Sequence, residues 1–114
     1  METVEQTHDR TTAILKEFSI PEEMLRVLGP NERPLHHSGQ RSYSDGHYYT
    51  HNVTKISSYY RATYCVHATR SFEVVSVEVR QDFDAEKLHN TLKIFRDTRN
   101  TVERLVAREA RPQS

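Results

Sequence analysis

Residues 59–81 constrain the fold of this chain most, because their composition predicts a single β-hairpin. Residues 59–67 and 72–80 are rich in β-branched and aromatic types, which fit a pleated and half-buried sheet surface. A turn at residues 68–71 would build one apolar face from three facing pairs: Tyr60 with Val79, Ala62 with Val77, and Tyr64 with Val75. A slip of one residue would mix the two faces, so the pattern itself predicts this register.

The other face of the predicted hairpin is apolar near the turn and charged at the far end. Its members are Arg61, Thr63, Cys65, His67, Phe72, Val74, Ser76, Glu78 and Arg80. A face exposed only to water would be polar throughout, and monomers rarely leave large apolar patches open. We therefore expect a second subunit or a ligand to cover this face. Arg61 and Glu78 would stand directly opposite each other and form a cross-strand ion pair.

Two helices are predicted before the sheet. In residues 3–18, Thr3 and Gln6 have the spacing of a capping box, and the residues of one face recur at steps of three and four. A second and shorter helix is predicted in residues 19–29, where apolar side chains again cluster on one side. The dipeptide Gly29-Pro30 marks the end of that helix.

A long helix is predicted after the hairpin, over residues 84–109. Asp84 is a suitable N-cap, and residues 85–108 contain no glycine or proline. One stripe of this helix steps by four and three residues, as in a coiled coil. The stripe comprises Leu88, Leu92, Phe95, Arg99, Val102 and Val106. Arg99 stands at a position where a helix packed only on its own core would have an aliphatic residue.

Together these elements predict an α+β two-layer sandwich, with helices packed on one face of an antiparallel sheet. The expected order is two N-terminal helices, an antiparallel meander of about four strands, and a long C-terminal helix. Asp45-Gly46 favours a type I′ turn and therefore a further hairpin near residues 41–53. A chain of 114 residues forms one domain. We expect helices in residues 3–29 and 84–109, the sheet in residues 40–81, and a frayed tail in residues 110–114.

Composition limits the compartment and the partners. The formal net charge is zero, which argues against a strongly basic nucleic-acid binder and against a DNA mimic. Cys65 is the single cysteine, so an internal disulfide is excluded and a reducing compartment is favoured. No apolar run is long enough to span a membrane, and the acidic, polar start is unlike a secretory signal. We expect a soluble cytoplasmic protein that does not associate with membranes.

Residues 36–71 are the expected functional surface, because they hold five of the seven histidines and all six tyrosines. The favoured function is a small non-enzymatic binding protein that self-associates, as a dimer, and binds a protein or an anionic partner through this region. Arginine and aromatic side chains dominate such interfaces. The expected binding residues are Arg41, Tyr49, His51, Arg61, His67, Phe72 and Glu78.

No metal or other cofactor is expected. His47 and His51 are four residues apart on a strand, about 13 Å at the usual rise, which is too far to chelate one ion. A tertiary site formed by His37, His51 and His67 is a less favoured alternative. Cys65 and His67 lie on the same strand face and contain the ingredients of a Cys/His nucleophile. Because the sequence shows no helix start or strained turn at Cys65, we interpret it as a small apolar residue at an interface.

Two functions from other classes are alternatives. One is a small-ligand enzyme whose pocket, lined by histidine and tyrosine, lies between the sheet and residues 29–40, with a histidine or Glu78 as acid or base. The other is RNA or single-stranded nucleic-acid binding, in which tyrosine and arginine side chains of the sheet stack on bases and neutralise phosphates. The balanced charge makes nucleic acid the least favoured of the three functions.

Overall fold

The computed structural model describes residues 1–32, 63–69 and 71–110, which form an α+β fold with two helices and three strands. The elements in chain order are α1 (Val4–Glu17), a 3₁₀ turn (Glu22–Met24), β1 (Leu25–Leu28), β2 (Tyr64–Ala68), β3 (Val74–Arg80) and α2 (Ala85–Ala110). Among these residues, no helix combines the length and the apolar character needed to cross a membrane. The hairpin predicted near residues 41–53 lies outside the described residues.

The three strands form one mixed sheet in the order β1-β3-β2. β3 lies in the centre, with β1 parallel to it on one side and β2 antiparallel to it on the other. The described residues therefore do not form the predicted antiparallel meander of about four strands. Because β3 has a neighbour along each edge, its backbone N–H and C=O groups find partners within the sheet.

The helix predicted in residues 19–29 is wrong, because this segment forms a short 3₁₀ turn followed by β1. Ser19 has a φ of 56° just after α1, so the helical path ends there. Leu25 and Val27 pack against the core, while Arg26 between them points to the other side of the sheet. The segment thus has the period of a strand, and its pairing with β3 outweighs local helix propensity.

α1 begins with the predicted capping box. The Thr3 hydroxyl accepts a hydrogen bond from the Gln6 backbone N–H (3.0 Å), and the Gln6 side chain accepts one from the Thr3 N–H (2.9 Å). The buried side of the helix is formed by Thr7, Thr11 and Leu15. The Thr11 hydroxyl donates to the Thr7 carbonyl (2.6 Å), so this polar group is satisfied inside the protein.

Glu2 fixes the N-terminal residues to the connection between β3 and α2. Its carboxylate accepts from Arg10 Nε (2.6 Å), from the Thr7 hydroxyl (2.7 Å) and from the backbone N–H of Asp82 (3.1 Å). Arg10 also donates to the Phe83 carbonyl (3.2 Å). These bonds favour the ionised carboxylate, and the bond from Arg10 contributes most to lowering the pKa of Glu2 to about 2.

β2 and β3 pair antiparallel, as the predicted hairpin does, but the register differs from the predicted one by four residues. Tyr64 lies opposite Val79, four residues further along β3 than expected. The position opposite Glu78, predicted for Arg61, is occupied by Cys65. A shift by an even number of residues keeps each side chain on its predicted face, because the side-chain period of a strand is two.

A β-bulge near the turn changes the face of the residues at the start of β3. His67 pairs with Ser76 whereas Ala68 pairs with Val74, so β3 has one extra residue at this point. Val74 therefore packs against the core, and Phe72 does so as well. The prediction that Phe72 and Val74 lie on the outer face is wrong for this reason.

α2 packs on the apolar face of the sheet, as predicted. Its N-cap is Asp84, whose carboxylate accepts from the backbone N–H groups of Glu86 (3.0 Å) and Lys87 (3.2 Å). The core between α1, α2 and the sheet comprises Leu15, Tyr64, Val66, Ala68, Val77, Val79, Phe83, Leu88, Leu92 and Phe95. The opposite face of the sheet is a different environment, in which ionisable side chains are buried.

Candidate functional site

The sheet face turned away from the helices carries a compact group of ionisable side chains. Cys65 and His67 are two residues apart on β2 and therefore point to the same side. Glu78 lies opposite Cys65 on β3. All three side chains are completely buried, and one potential ligand atom from each lies within 4.8 Å of the other two. We call Cys65, His67 and Glu78 the polar cluster.

A short hydrogen bond joins two members of the polar cluster. Nε2 of His67 lies 2.6 Å from Oε1 of Glu78. An ionised carboxylate can only accept, so the imidazole donates in this pair. The other carboxylate oxygen, Oε2, accepts from Nη1 of Arg26 at 3.2 Å. Arg26 is half exposed while Glu78 is fully buried, so this ion pair connects the polar cluster to the surface.

Two arginines beside the polar cluster are held by the segment that follows β1. Arg80 donates from Nη1 to the Gly29 carbonyl (2.7 Å) and from Nη2 to the Glu32 carbonyl (2.6 Å). Arg26 forms a further ion pair with the Glu32 carboxylate. Burial lowers the pKa of Arg80, although the negative charge of Glu78 opposes this effect. Both guanidinium groups are thus fixed in position next to the buried carboxylate.

Cys65 is held as a neutral thiol. Burial and, to a smaller extent, the negative charge of Glu78 raise its pKa to about 12, and Arg80 partly opposes both effects. A catalytic cysteine needs the reverse, a thiolate that is stabilised by nearby cations and accessible to a substrate. The geometry therefore argues against nucleophilic catalysis at Cys65.

A groove of about 440 Å³ lies on the helix side of the sheet. Its apolar walls include Phe18, Ile20 and Phe72, and Arg99 lies at the end formed by α2. Phe72 meets Phe95 edge-on, with ring centroids 5.7 Å apart, so it belongs to the groove wall and the core together. The volume is in the range of small-ligand pockets. No histidine is among the described residues that line the groove, so it does not correspond to the predicted histidine-lined pocket.

The C-terminal half of α2 is not packed into the core. Phe95 is the last buried residue among those of the helix whose side chains are described, and residues 99–109 are all exposed or half-buried. The apolar stripe nevertheless continues there with Val102, Leu105 and Val106, of which the last two are 53% and 59% exposed. We call residues 99–109 the C-terminal helix segment. An apolar stripe exposed on a helix is typical of a surface that contacts another chain.

The predicted binding residues fall into three groups. His67 and Glu78 come together in the polar cluster, where both are buried. Phe72 lies on the other side of the sheet, against the core. The structure thus brings two of the predicted residues into one site, and none of these three is an exposed anchor. The remaining four lie outside the described residues: Arg41, Tyr49, His51 and Arg61.

The predicted binding residues do not include three participants in this region, namely Cys65, Arg26 and Arg80. The sequence places Cys65 beside His67, two residues apart on a predicted strand, but we interpret Cys65 there as an apolar interface residue. The contribution of Glu78 depends on the correct register of β3, which the predicted turn does not give. Arg26 could not be placed, because β1 was predicted as a helix.

Two features therefore call for a functional explanation, the polar cluster and the C-terminal helix segment. The cluster combines a thiol, an imidazole and a carboxylate, which are metal-ligand types, although the sequence had not indicated a metal. The chain matches no protein-family model, no curated protein sequence and no solved structure. Function is therefore inferred from these two features.

Proposed function

We propose that this chain is a non-enzymatic interaction protein that self-associates as an antiparallel dimer through the C-terminal helix segment. The observation that carries the proposal is the unpacked apolar stripe formed by the half-buried Val102 and the exposed Leu105 and Val106. In the preceding turns of α2, Leu92 and Phe95 bury the same stripe in the core. The first half of α2 buries its apolar face in the core, and the second half exposes it. Packing that second half against a partner would remove its apolar surface from water and so lower the free energy.

The charges on the stripe favour a second copy of the same chain in antiparallel orientation. An antiparallel pair centred on residue 104 places Val102 opposite Val106 of the second copy and Arg99 opposite its Glu109. A parallel pair would place Arg99 against Arg99 and Glu109 against Glu109. Such like-charge contacts are destabilising, so charge complementarity selects the antiparallel arrangement.

The proposed interface is small. Eleven residues of α-helix span about 16 Å, and contacts of limited area belong to weak or transient complexes. We therefore expect a dimer that dissociates on dilution. Arg99 already donates to Glu103 of its own helix (3.0 Å). A guanidinium group has five N–H donors, so this bond leaves donors for Glu109 of the second copy.

Self-association would present two copies of residues 36–71. We propose that this region binds a protein or an anionic partner, on the support of its histidine, tyrosine and arginine content. Two linked copies raise the apparent affinity for a partner that has two matching sites. His67, Phe72 and Glu78 are not part of the proposed surface, because they are buried or packed against the core.

Sedimentation velocity over a concentration series tests the self-association. Wild-type protein should shift from monomer towards dimer as its concentration rises. Arg99→Glu and Glu109→Arg should each weaken the dimer, because each variant creates like-charge contacts across the antiparallel pair. The double variant should restore the dimer, and so should an equimolar mixture of the two single variants. Arg104→Glu is the matched control, since Arg104 lies on the opposite side of the same helix.

Three results would overturn the antiparallel dimer. The first is a wild-type protein that remains monomeric at every concentration, which would assign the stripe to a different partner. The second is a double variant that associates no more tightly than the single variants. The third is a dimer that persists in all of the charge variants, which would place the interface elsewhere on the protein.

A further inference from the structure

We propose that Cys65, His67 and Glu78 bind one zinc ion that links β2 to β3. This inference goes beyond the proposed self-association and does not depend on it, because the two features lie on opposite sides of the sheet. Cys65 and His67 come from one strand, and Glu78 comes from the strand paired with it. A shared ion would therefore cross-link two strands that are held together otherwise by hydrogen bonds and packing.

The donor set selects zinc among the common metal ions. Thiolate, imidazole and carboxylate are the three ligand types that Zn²⁺ uses in proteins. Calcium and magnesium use oxygen ligands instead, and a thiolate in the set favours a softer ion. All three side chains are completely buried and supply three of the four ligands of a tetrahedral zinc ion, so a water molecule or a further donor completes the coordination.

The ligand atoms need only a limited movement to reach zinc-binding geometry. They lie within 4.8 Å of one another, whereas two ligands of a tetrahedral zinc ion are roughly 3.3–3.8 Å apart for bonds of about 2.0–2.3 Å. His67 Nε2 and Glu78 Oε1 are closer than this, at 2.6 Å, because a hydrogen bond joins them. Zinc would take the place of the proton on Nε2, which moves to Nδ1 so that the imidazole stays neutral, and would draw Sγ of Cys65 towards the same centre.

The charges in the site balance once the thiol of Cys65 has released its proton to solvent. The thiolate and the carboxylate of Glu78 then neutralise the two positive charges of the ion, and His67 binds as a neutral ligand. A coordinated thiol is deprotonated outright, because the metal is the largest local charge. Arg26 holds Oε2 of Glu78 at 3.2 Å, which orients the carboxylate and leaves Oε1 for the metal.

The neighbouring arginines oppose a cation, but each has acceptors of its own. Arg80 donates to the carbonyls of Gly29 and Glu32. Arg26 is paired with the carboxylate of Glu32 in addition to Glu78, and it is half exposed to water. Their repulsion of a bound metal is therefore partly compensated by groups that are already in place.

Cobalt(II) titration of the full-length, chelator-treated protein is the first test. Cobalt substitutes for zinc, and its spectrum reports the ligands: a sulfur-to-cobalt charge-transfer band requires a thiolate, and intense d–d bands indicate tetrahedral geometry. We expect one equivalent to bind with both signals, and zinc to displace it. If the folded wild-type protein shows no charge-transfer band, the proposal is overturned.

Four variants identify the ligands. Cys65→Ser should abolish the charge-transfer band, and Glu78→Gln should weaken cobalt binding while the band remains. Arg26→Met should weaken binding by about 10–100-fold, as expected for loss of a residue that orients a ligand. His89→Gln is the matched control, because His89 forms an exposed pair with Glu17 at 2.8 Å. The cobalt affinity of this variant should equal that of the wild type.

Equal cobalt binding by Cys65→Ser and the wild type would reveal an adventitious surface site and would also overturn the proposal. If Cys65→Ser fails to fold, the wild-type spectrum decides on its own. X-ray absorption of the zinc-loaded protein gives a second readout. It should show one sulfur at about 2.3 Å and nitrogen or oxygen ligands at about 2.0–2.2 Å.

Discussion

Removing Glu78 tests whether the polar cluster stabilises the fold as one unit. Glu78→Leu deletes the acceptor of the 2.6 Å hydrogen bond from His67, at a completely buried position. Breaking a buried pair by removing one partner costs about 3–5 kcal/mol of unfolding free energy. The lost contact with Arg26 adds only about 0–1 kcal/mol, because that side chain is half exposed. The expected loss is large against the roughly 5–15 kcal/mol that stabilise a typical domain.

Two further variants separate the charge from the packing. Glu78→Gln keeps an acceptor for the imidazole N–H of His67. Its unfolding free energy should therefore fall by less, about 1–2 kcal/mol, which is the difference between charged and neutral hydrogen bonds. Combining His67→Leu with Glu78→Leu removes both ends of the pair, and apolar packing then offsets much of the cost. We expect the double variant to be about 2–3 kcal/mol more stable than the sum of the two single losses implies.

Guanidinium unfolding followed by circular dichroism, with a chelator present, measures these free energies. Glu17→Gln is the control, because Glu17 makes the same kind of contact with His89 at 2.8 Å on the surface. That variant should stay within about 1 kcal/mol of the wild type. Strictly additive losses in the Glu78 and His67 variants would refute the idea of one coupled pair, and so would a Glu78→Leu protein as stable as the wild type.

Two other predictions concern the core and the N-terminus. Phe95→Ala should cost about 3–5 kcal/mol, because the ring is buried and packs edge-on against Phe72. Ile94→Ala, on the exposed face of the same helix, should change stability by no more than about 0.5 kcal/mol. Urea unfolding measures the free energy of both variants. Equal losses of stability in the two would contradict the assigned packing. The ionised Glu2 carboxylate contributes stability that is present above pH 4.5 and is lost as the pH falls, because its folded-state pKa is lowered from 4.5 to about 2. Glu2→Gln should therefore be less stable than the wild type at neutral pH and should approach it in acid; a difference that does not vary with pH would exclude the bond to Arg10 as the cause.

The faces of the hairpin could be predicted from the sequence, but its register could not. The period of two places Tyr64, Val77 and Val79 on the core side for any even shift, and all three are buried there. Turn geometry decides between registers that differ by an even number. Here a bulge and a positive φ of 66° at Phe72 take the place of the expected turn, and a bulky residue at positive φ has no signature in composition.

β1 shows why the contacts of the polar cluster could not be predicted from the sequence. The four residues Leu25–Leu28 are too few to distinguish the period of a helix from that of a strand. Their pairing with β3 joins parts of the chain that are far apart in the sequence, so local pattern does not reveal it. α1 and α2 could be predicted because each has a cap and a long periodic stripe. The contacts of Arg26 and Glu78 needed both the strand and the register.

The two sides of the sheet differ within the described residues. The apolar core cluster lies between the helices and the sheet, whereas the other side carries the buried polar cluster. Each ionisable group buried there is stable only while it has a partner of opposite charge, a hydrogen bond or a metal.

The proposed metal binding and the proposed self-association therefore depend on different interactions. Charge compensation on one side of β2 and β3 would govern the metal, and unburied apolar area at the end of α2 would govern the dimer. The polar cluster and residues 99–109 share no side chain. Exchanging Arg99 and Glu109 should accordingly leave the cobalt spectrum unchanged, and removing metal should leave the dissociation of the dimer unchanged. Coupling between the two measurements would mean that the sheet and the C-terminal helix segment do not act as separate sites.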